Sequence, residues 1–127
     1  MKNTVDQYLD HYAEPEAKNR QPLKKTFGHV VVVPAYDEPF EFAQAMLSSL
    51  GSDVLMIVVV NVPDHVDTQS PMYRRSKKLL RQLGAPNLLV VDRVNRPIPK
   101  NQGVGLARKI GADTALGYIR DDMIVEP

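Results

Sequence analysis

Apolar residues follow two patterns along this chain: short continuous runs, and repeats at every third or fourth position. Three runs are almost purely apolar: Val30 to Val33, Val54 to Val60 and Leu88 to Val91. Runs of this kind are typical of strands buried on both faces of a parallel sheet. After each run, apolar residues return every three or four positions, which is the period of an amphipathic helix. The pattern therefore predicts strand, helix, strand, helix, strand, helix, with helices on both faces of a mostly parallel sheet.

Proline and small polar residues mark the predicted ends of these elements. Pro34 is expected to end the first strand. Asp37 is expected to cap the next helix, with Pro39 in its early turn, where the missing N–H costs nothing. Ser70 followed by Pro71 predicts the start of the second helix by the same two rules.

The third helix is predicted over roughly 102–120 and has small side chains on one face. They recur every four residues, at Gly103, Ala107, Gly111 and Ala115. Each glycine lowers helix propensity by ~1 kcal/mol relative to alanine, so this spacing indicates a backbone that passes close to a neighbour. The neighbour is either the sheet or a bound ligand, and we favour the sheet. The same side is predicted to carry Ile110, Thr114, Tyr118 and Ile119.

The N-terminal part of the chain lacks this regularity. Thr4 to Ala13 is predicted to form a short helix, and Glu14 to Lys25 is charged and contains two prolines. We interpret residues 1–27 as a lead-in and residues 28–127 as one α/β domain.

The composition is that of an ordinary globular domain: 127 residues, 43% hydrophobic and 24% charged. A net charge of +1 gives no reason to expect a nucleic acid or an anionic membrane as partner. Cysteine is absent, which excludes a disulfide framework and a thiolate nucleophile. The N-terminus is polar and the apolar runs are short, so we expect a cytoplasmic chain that is not an integral membrane protein.

Polar residues follow each predicted strand, at the sheet edge where open parallel sheets bind ligands. A phosphate loop would have glycines after the first strand, but this chain has Asp37 and Glu38. These carboxylates either cap the helix or accept hydrogen bonds from a base or ribose, and we weigh the two roles equally. Tyr36 beside them can lie against a ring. The turn therefore predicts a nucleoside site and argues against NAD.

Two stretches in this order carry a family resemblance. Residues 31–38 (VVVPAYDE) resemble the opening strand and turn of family 2 glycosyltransferases. Residues 100–111 (KNQGVGLARKIG) are similar to that family's second signature, a basic residue and a glycine followed by an Ala-Arg-x-x-Gly helix. The resemblance covers about Gly28 to Ile119. It implies a three-layer αβα, Rossmann-like GT-A fold, here truncated.

The resemblance also implies an activity: transfer of a sugar from a nucleotide-diphosphate-sugar donor to a hydroxyl acceptor, with Mn²⁺ or Mg²⁺. It places the nucleoside against the first turn and the diphosphate near Lys100, whose ammonium can offset a leaving diphosphate. The nucleotide-binding residues implied in this way are Pro34, Ala35, Tyr36, Glu38, Asn61, Lys100, Gly103 and Arg108.

Two departures from the family pattern change this expectation. Asn61-Val62-Pro63 stands where the family has an acidic pair that holds the base, so the identity of the base stays open. The family's Asp-x-Asp metal motif follows the next strand, and Asp121-Asp122, at a predicted helix end, is no substitute. We therefore expect a donor-binding half that binds no metal and is inactive alone.

Alternatives come from other classes. A non-catalytic α/β module would self-associate through the sheet edge that truncation exposes. A nucleotidyltransferase would need a glycine-rich loop with an arginine after the first strand, which is missing. The basic cluster in residues 74–81 lies mostly opposite the apolar stripe, so we favour a solvated face over a phosphate or RNA patch. The histidines His11, His29 and His65 have no metal-ligand spacing.

Overall fold

The computed structural model describes residues 4–125 as an α/β fold with a three-stranded parallel sheet. The sheet order is β1-β2-β3, so β2 is the central strand. The predicted α/β class and the alternation of strands and helices are confirmed. The elements are α1 (Thr4–His11), α2 (Pro15–Lys18), β1 (His29–Tyr36), α3 (Phe40–Ser49), β2 (Val54–Pro63), α4 (Pro71–Gln82), β3 (Leu88–Ile98) and α5 (Gly103–Arg120).

Helices cover both faces of the sheet. Successive side chains of a strand point to opposite faces, so each strand contributes to two cores. Val58 and Val60 of β2 face α3 and α4, where Leu79 is buried. Ile57 and Val59 face α5 on the other side. Because both faces are covered, β2 is buried along nearly its whole length.

The three described strands are all longer than predicted, and β2 ends at Pro63 instead of Val60. The prediction that Pro34 ends β1 was wrong, because the strand continues to Tyr36. β1 is an edge strand of the described sheet, where a residue without an N–H is tolerated. β3 runs to Ile98 instead of ending at Val91, and its register to β2 shifts after Arg93. Prolines in the predicted loop hid this bulged second half of the strand.

The helix starts were predicted with mixed success. Ser70 caps α4 as predicted, because its hydroxyl accepts from the N–H of Tyr73 at 3.2 Å. The predicted cap at Asp37 was wrong: α3 begins at Phe40, and Pro39 is its N-cap residue. Asp37 instead lies in the left-handed region (φ 50°), and its carboxylate binds a side chain of α4.

The small residues of α5 serve close packing on the sheet at Gly111, as favoured. A Cβ at Gly111 would lie 2.2 Å from Cγ1 of Val32, so only glycine fits at this distance. Gly103 has φ +43° and open space around it, so its role is not packing. Ile119 was predicted on the buried side, but it is 46% exposed.

The N-terminal segment docks on α5 through one buried carboxylate. Asp113 accepts hydrogen bonds from the Tyr8 hydroxyl at 2.6 Å and from the Glu14 backbone N–H at 2.9 Å. The Lys109 ammonium lies 2.9 Å from the same carboxylate and 2.8 Å from that of Glu14. Burial disfavours the charged ammonium, but these hydrogen bonds outweigh it and raise the pKa of Lys109. Charged residues of the lead-in therefore have fixed partners in the domain.

After α5 the chain returns to the outer edge of β1. The N–H of Phe27 donates to the carbonyl of Met123 at 2.9 Å, and the N–H of Val125 donates to the carbonyl of Phe27 at 2.7 Å. Gly28, the next residue, donates to Asp53 on the β2 side. Residues 123–125 therefore run parallel to β1 on the edge away from β2.

Candidate functional site

A cavity of about 320 Å³ opens at the carboxyl ends of the strands. We call it the strand-end cavity. It brings together the ends of all three strands and the start of α5. The residues that line it are Tyr36, Asn61, Pro63, His65, Ile98, Lys100, Gly103 and Val104.

The cavity lies at the point where the direction of winding reverses. Helices α3 and α4 carry the chain from β1 to β3 across one face, whereas α5 returns it across the other face to the outer edge of β1. Open α/β sheets bind ligands at such a reversal, beyond the carboxyl ends of the strands. Tyr36, the last residue of β1, stands at this position.

One wall and the floor come from paired residues of β1 and β2. Tyr36 and Asn61 are partners in the parallel register. Tyr36 is 51% exposed, so a face of its ring is available to a planar ligand. Asn61 is buried, and its Nδ2 donates to the carbonyls of Ala35 at 3.2 Å and Val59 at 3.1 Å. The amide is thereby fixed, and its carbonyl oxygen is the group left to accept a hydrogen bond.

The opposite wall is positively polarised. Gln102 precedes α5 without a side-chain cap, so the first N–H groups of this long helix are left for a ligand. The helix N-terminus and the Lys100 ammonium both favour an anion here. Asp64 holds the loop in place, because it accepts from the N–H of Lys100 at 3.2 Å and donates its own N–H to Ile98 at 2.8 Å.

The other predicted site residues lie elsewhere. Pro34 is half-buried within β1, and the side chain of Ala35 belongs to the core under α3 and α4. Arg108 is exposed on α5 and is not among the residues that line the strand-end cavity. Glu38 lines a second cavity of about 370 Å³ between α3 and α4. Thus Tyr36, Asn61, Lys100 and Gly103 of the predicted set share one cavity.

Asp37 is occupied by an ion pair. Its two carboxylate oxygens accept from Nε and from a terminal nitrogen of Arg75, each at 2.8 Å. This bidentate hydrogen bonding holds the pKa of Asp37 below its ordinary value. The pair joins the β1–α3 turn to α4, so we assign Asp37 a structural role.

Four residues of the cavity were not in the predicted binding set: Pro63, His65, Ile98 and Val104. His65 lies in the polar segment after the second predicted strand, where a ligand was expected, but no binding role was assigned to it. Ile98 was assigned to a loop, because the second half of β3 was not predicted. Val104 is an exposed residue in the first turn of α5, and its only signal was its nearness to Lys100.

The resemblance implies a divalent metal, for which the described residues offer no ready-made cluster of ligands. Within residues 4–125, no three His, Asp or Glu side chains are close enough to share one ion. We therefore assign no step to a metal.

Comparison with known proteins assigns this chain to no family, because no protein-family model, curated protein or solved structure matches it.

None of the helices in residues 4–125 has the length and apolar character needed to cross a bilayer.

Proposed function

We propose that this chain is the donor-binding part of a GT-A glycosyltransferase, which transfers a sugar from a nucleotide-diphosphate-sugar to a hydroxyl acceptor. One observation supports this most directly: an exposed tyrosine, and a lysine without an ion-pair partner among residues 4–125, line one cavity at the reversal point of the sheet. The resemblance of residues 31–38 and 100–111 to family 2 glycosyltransferases supports the choice of a sugar nucleotide over other nucleotides.

In this proposal the nucleoside occupies the side of the cavity that β1 and β2 form. The base lies against the ring of Tyr36, and the carbonyl oxygen of Asn61 accepts from a base N–H or a ribose hydroxyl. Because Asn61 is held by two backbone carbonyls, it meets the ligand without losing side-chain entropy.

The diphosphate lies on the side formed by Lys100 and the start of α5. Lys100 has no ion-pair partner in the described part of the chain, so its charge is available to the ligand. When a sugar leaves its donor, negative charge grows on the diphosphate, and a fixed cation stabilises that charge. Acceptor and general base are not assigned to any described residue.

The test is calorimetric titration of the chain with UDP, GDP, CDP and ADP, and with the matching nucleosides. We expect one nucleotide to bind with a Kd in the micromolar to millimolar range. Tyr36→Ala should weaken the nucleotide and its nucleoside alike. Lys100→Gln should weaken the diphosphate about tenfold and leave the nucleoside almost unchanged.

Arg81→Gln is the matched control, because it removes one positive charge from an exposed position in the last turn of α4. That end of the helix lies at the opposite edge of a parallel sheet. If Arg81→Gln weakens the nucleotide as much as Lys100→Gln does, the binding is general charge attraction. That result, or the absence of heat with every nucleotide, would refute the proposal.

A second candidate function is self-association through the outer edge of β1. Beyond the short pairing at Phe27, this edge has no strand partner among residues 4–125. Its residues Val30, Val31 and Val32 are only partly buried. Exposed edges of this kind pair with other chains. Light scattering at high concentration should then report a dimer or a larger species, and a clean monomer would exclude this candidate.

A further inference from the structure

A further groove lies at the outer edge of β3 and shares no lining residue with the strand-end cavity. It has a volume of about 320 Å³ and runs between the outer edge of β3 and the segment 15–21. Leu89 to Asp92 form one wall, Glu16 and Arg20 form the other, and Tyr118 of α5 lies at the base. We call it the edge groove.

The backbone of β3 faces this groove with unused hydrogen-bonding groups. The N–H of Met56 donates to the carbonyl of Asn87 at 2.9 Å, so Asn87 faces β2. Backbone groups of a parallel strand point alternately to its two neighbours, and Leu89 and Val91 therefore also face β2. The N–H and the carbonyl of Val90 then point outward, where no strand pairs with β3 among the described residues.

The opposite wall has two buried polar atoms without a partner in residues 4–125, Oε1 of Glu16 and Nε of Arg20. The other oxygen of Glu16 accepts from Arg93 at 2.9 Å and from Arg96 at 2.7 Å. The terminal nitrogens of Arg20 bind Asp121 and the carbonyl of Ala17. One acceptor and one donor of this wall thus lack a hydrogen bond among the described residues, which is unfavourable for buried polar atoms.

We propose that the edge groove binds an extended peptide as an added strand on β3. The peptide's main chain pairs with the N–H and carbonyl of Val90 on one side. On the other side, small rotations of the Glu16 and Arg20 side chains let them form hydrogen bonds with the peptide's remaining N–H and carbonyl groups. This is the mode in which an edge strand accepts a peptide by main-chain hydrogen bonds.

The charges and shape of the groove fit a peptide main chain. Glu16 and Asp92 balance Arg20 and Arg96, so neither sign is in excess. A phosphate or a nucleic acid would meet two carboxylates here, whereas a neutral main chain offers donors and acceptors in alternation. Leu89 and Tyr118 add apolar surface to the groove, which suits the side chains of an extended peptide.

The first experiment selects binders from a displayed library of random heptapeptides on the full chain. The most enriched peptide is then synthesised, capped at both ends and titrated by fluorescence anisotropy. We expect the amide signals of Val90 and Asp92 to shift in NMR spectra on binding. Failure to enrich any peptide that binds below 1 mM, on the order of −4 kcal/mol, would overturn the proposal.

The second experiment removes the main-chain hydrogen bond by changing first the protein and then the peptide. Val90→Pro deletes an outward N–H at an edge, where proline is tolerated, and should weaken the peptide at least tenfold. Val90→Thr keeps the N–H and the branched shape, and should bind as the unmodified chain does. N-methylation of alternate peptide residues tests the same contact without changing the protein, in case Val90→Pro fails to fold. If neither the proline nor either pattern of methylation changes the Kd, the peptide does not pair with β3.

Discussion

The contact between Gly111 and the sheet gives the sharpest test of how α5 is held. An alanine Cβ at Gly111 would lie 2.2 Å from Cγ1 of Val32 and 3.4 Å from Cγ2 of Val59. Neither valine is the mobile end of a long side chain, because both belong to the sheet. The helix must therefore move away or the strand must shift, and overpacking of this kind costs about 1–3 kcal/mol.

Gly105 is the matched control on the same helix. It is exposed, and an added Cβ there meets no atom within 4 Å. Both substitutions gain the helix propensity of alanine, ~1 kcal/mol, so that gain cancels in the comparison. Gly105→Ala should be more stable than the unmodified chain, and Gly111→Ala should be less stable than Gly105→Ala by about 1–3 kcal/mol.

Urea unfolding followed by circular dichroism measures the difference. With a slope of about 1–3 kcal/mol per molar urea, the two midpoints should differ by about 1 M. The double variant Val32→Ala/Gly111→Ala removes the clashing methyl, so the two substitutions should cost less together than the sum of their separate effects. Equal midpoints for Gly105→Ala and Gly111→Ala would refute the close approach of α5 to β1.

Three further predictions follow from single contacts. Tyr8→Phe removes the hydrogen bond to Asp113 and should lower the free energy of unfolding by about 0.5–1.5 kcal/mol, whereas an unchanged urea midpoint would mean that the N-terminal segment is not docked. Ser70→Ala should cost ~1 kcal/mol in the same assay, because the N-cap hydrogen bond of α4 is lost, and a neutral result would contradict the cap. The pKa of Asp37 is lowered by its hydrogen bonds to Arg75, so the stability from this pair is present above the unfolded-state pKa of about 3.9 and is lost as pH falls through the folded-state value. Asp37→Asn should therefore destabilise the chain at pH 7 more than at pH 2, and equal effects at both pH values would argue against the pair.

The sequence predicted the elements better than their ends. The apolar runs located all three strands, because burial on both faces leaves an unmistakable pattern. The second half of β3 could not be predicted, since Pro97 and the polar residues before it follow loop chemistry, and only pairing with Pro63 of β2 extends the strand. The cap at Asp37 failed for a similar reason: its partner, Arg75, lies 38 residues away in the chain.

The candidate site was predictable where it depended on strand ends. Tyr36, Asn61 and Lys100 come after three different predicted strands, and the topology of a parallel sheet brings such positions to one edge. Ala35 was included because it belongs to the turn sequence, but alternation along β1 turns its side chain into the core. The docking of the lead-in depends on the contact of Tyr8 with Asp113, which are 105 residues apart, and no local pattern encodes it.

The pairing of Tyr36 with Asn61 makes the strand-end cavity inseparable from the alignment of β1 against β2. A displacement of β1 by one residue would move the Ala35 carbonyl away from Asn61 and would exchange the two faces of the whole strand. An insertion near Val31, far from any ligand, would therefore erase the cavity as completely as replacing its side chains. The length of β1, and not only the identity of its residues, thus determines whether this edge of the sheet keeps its cavity.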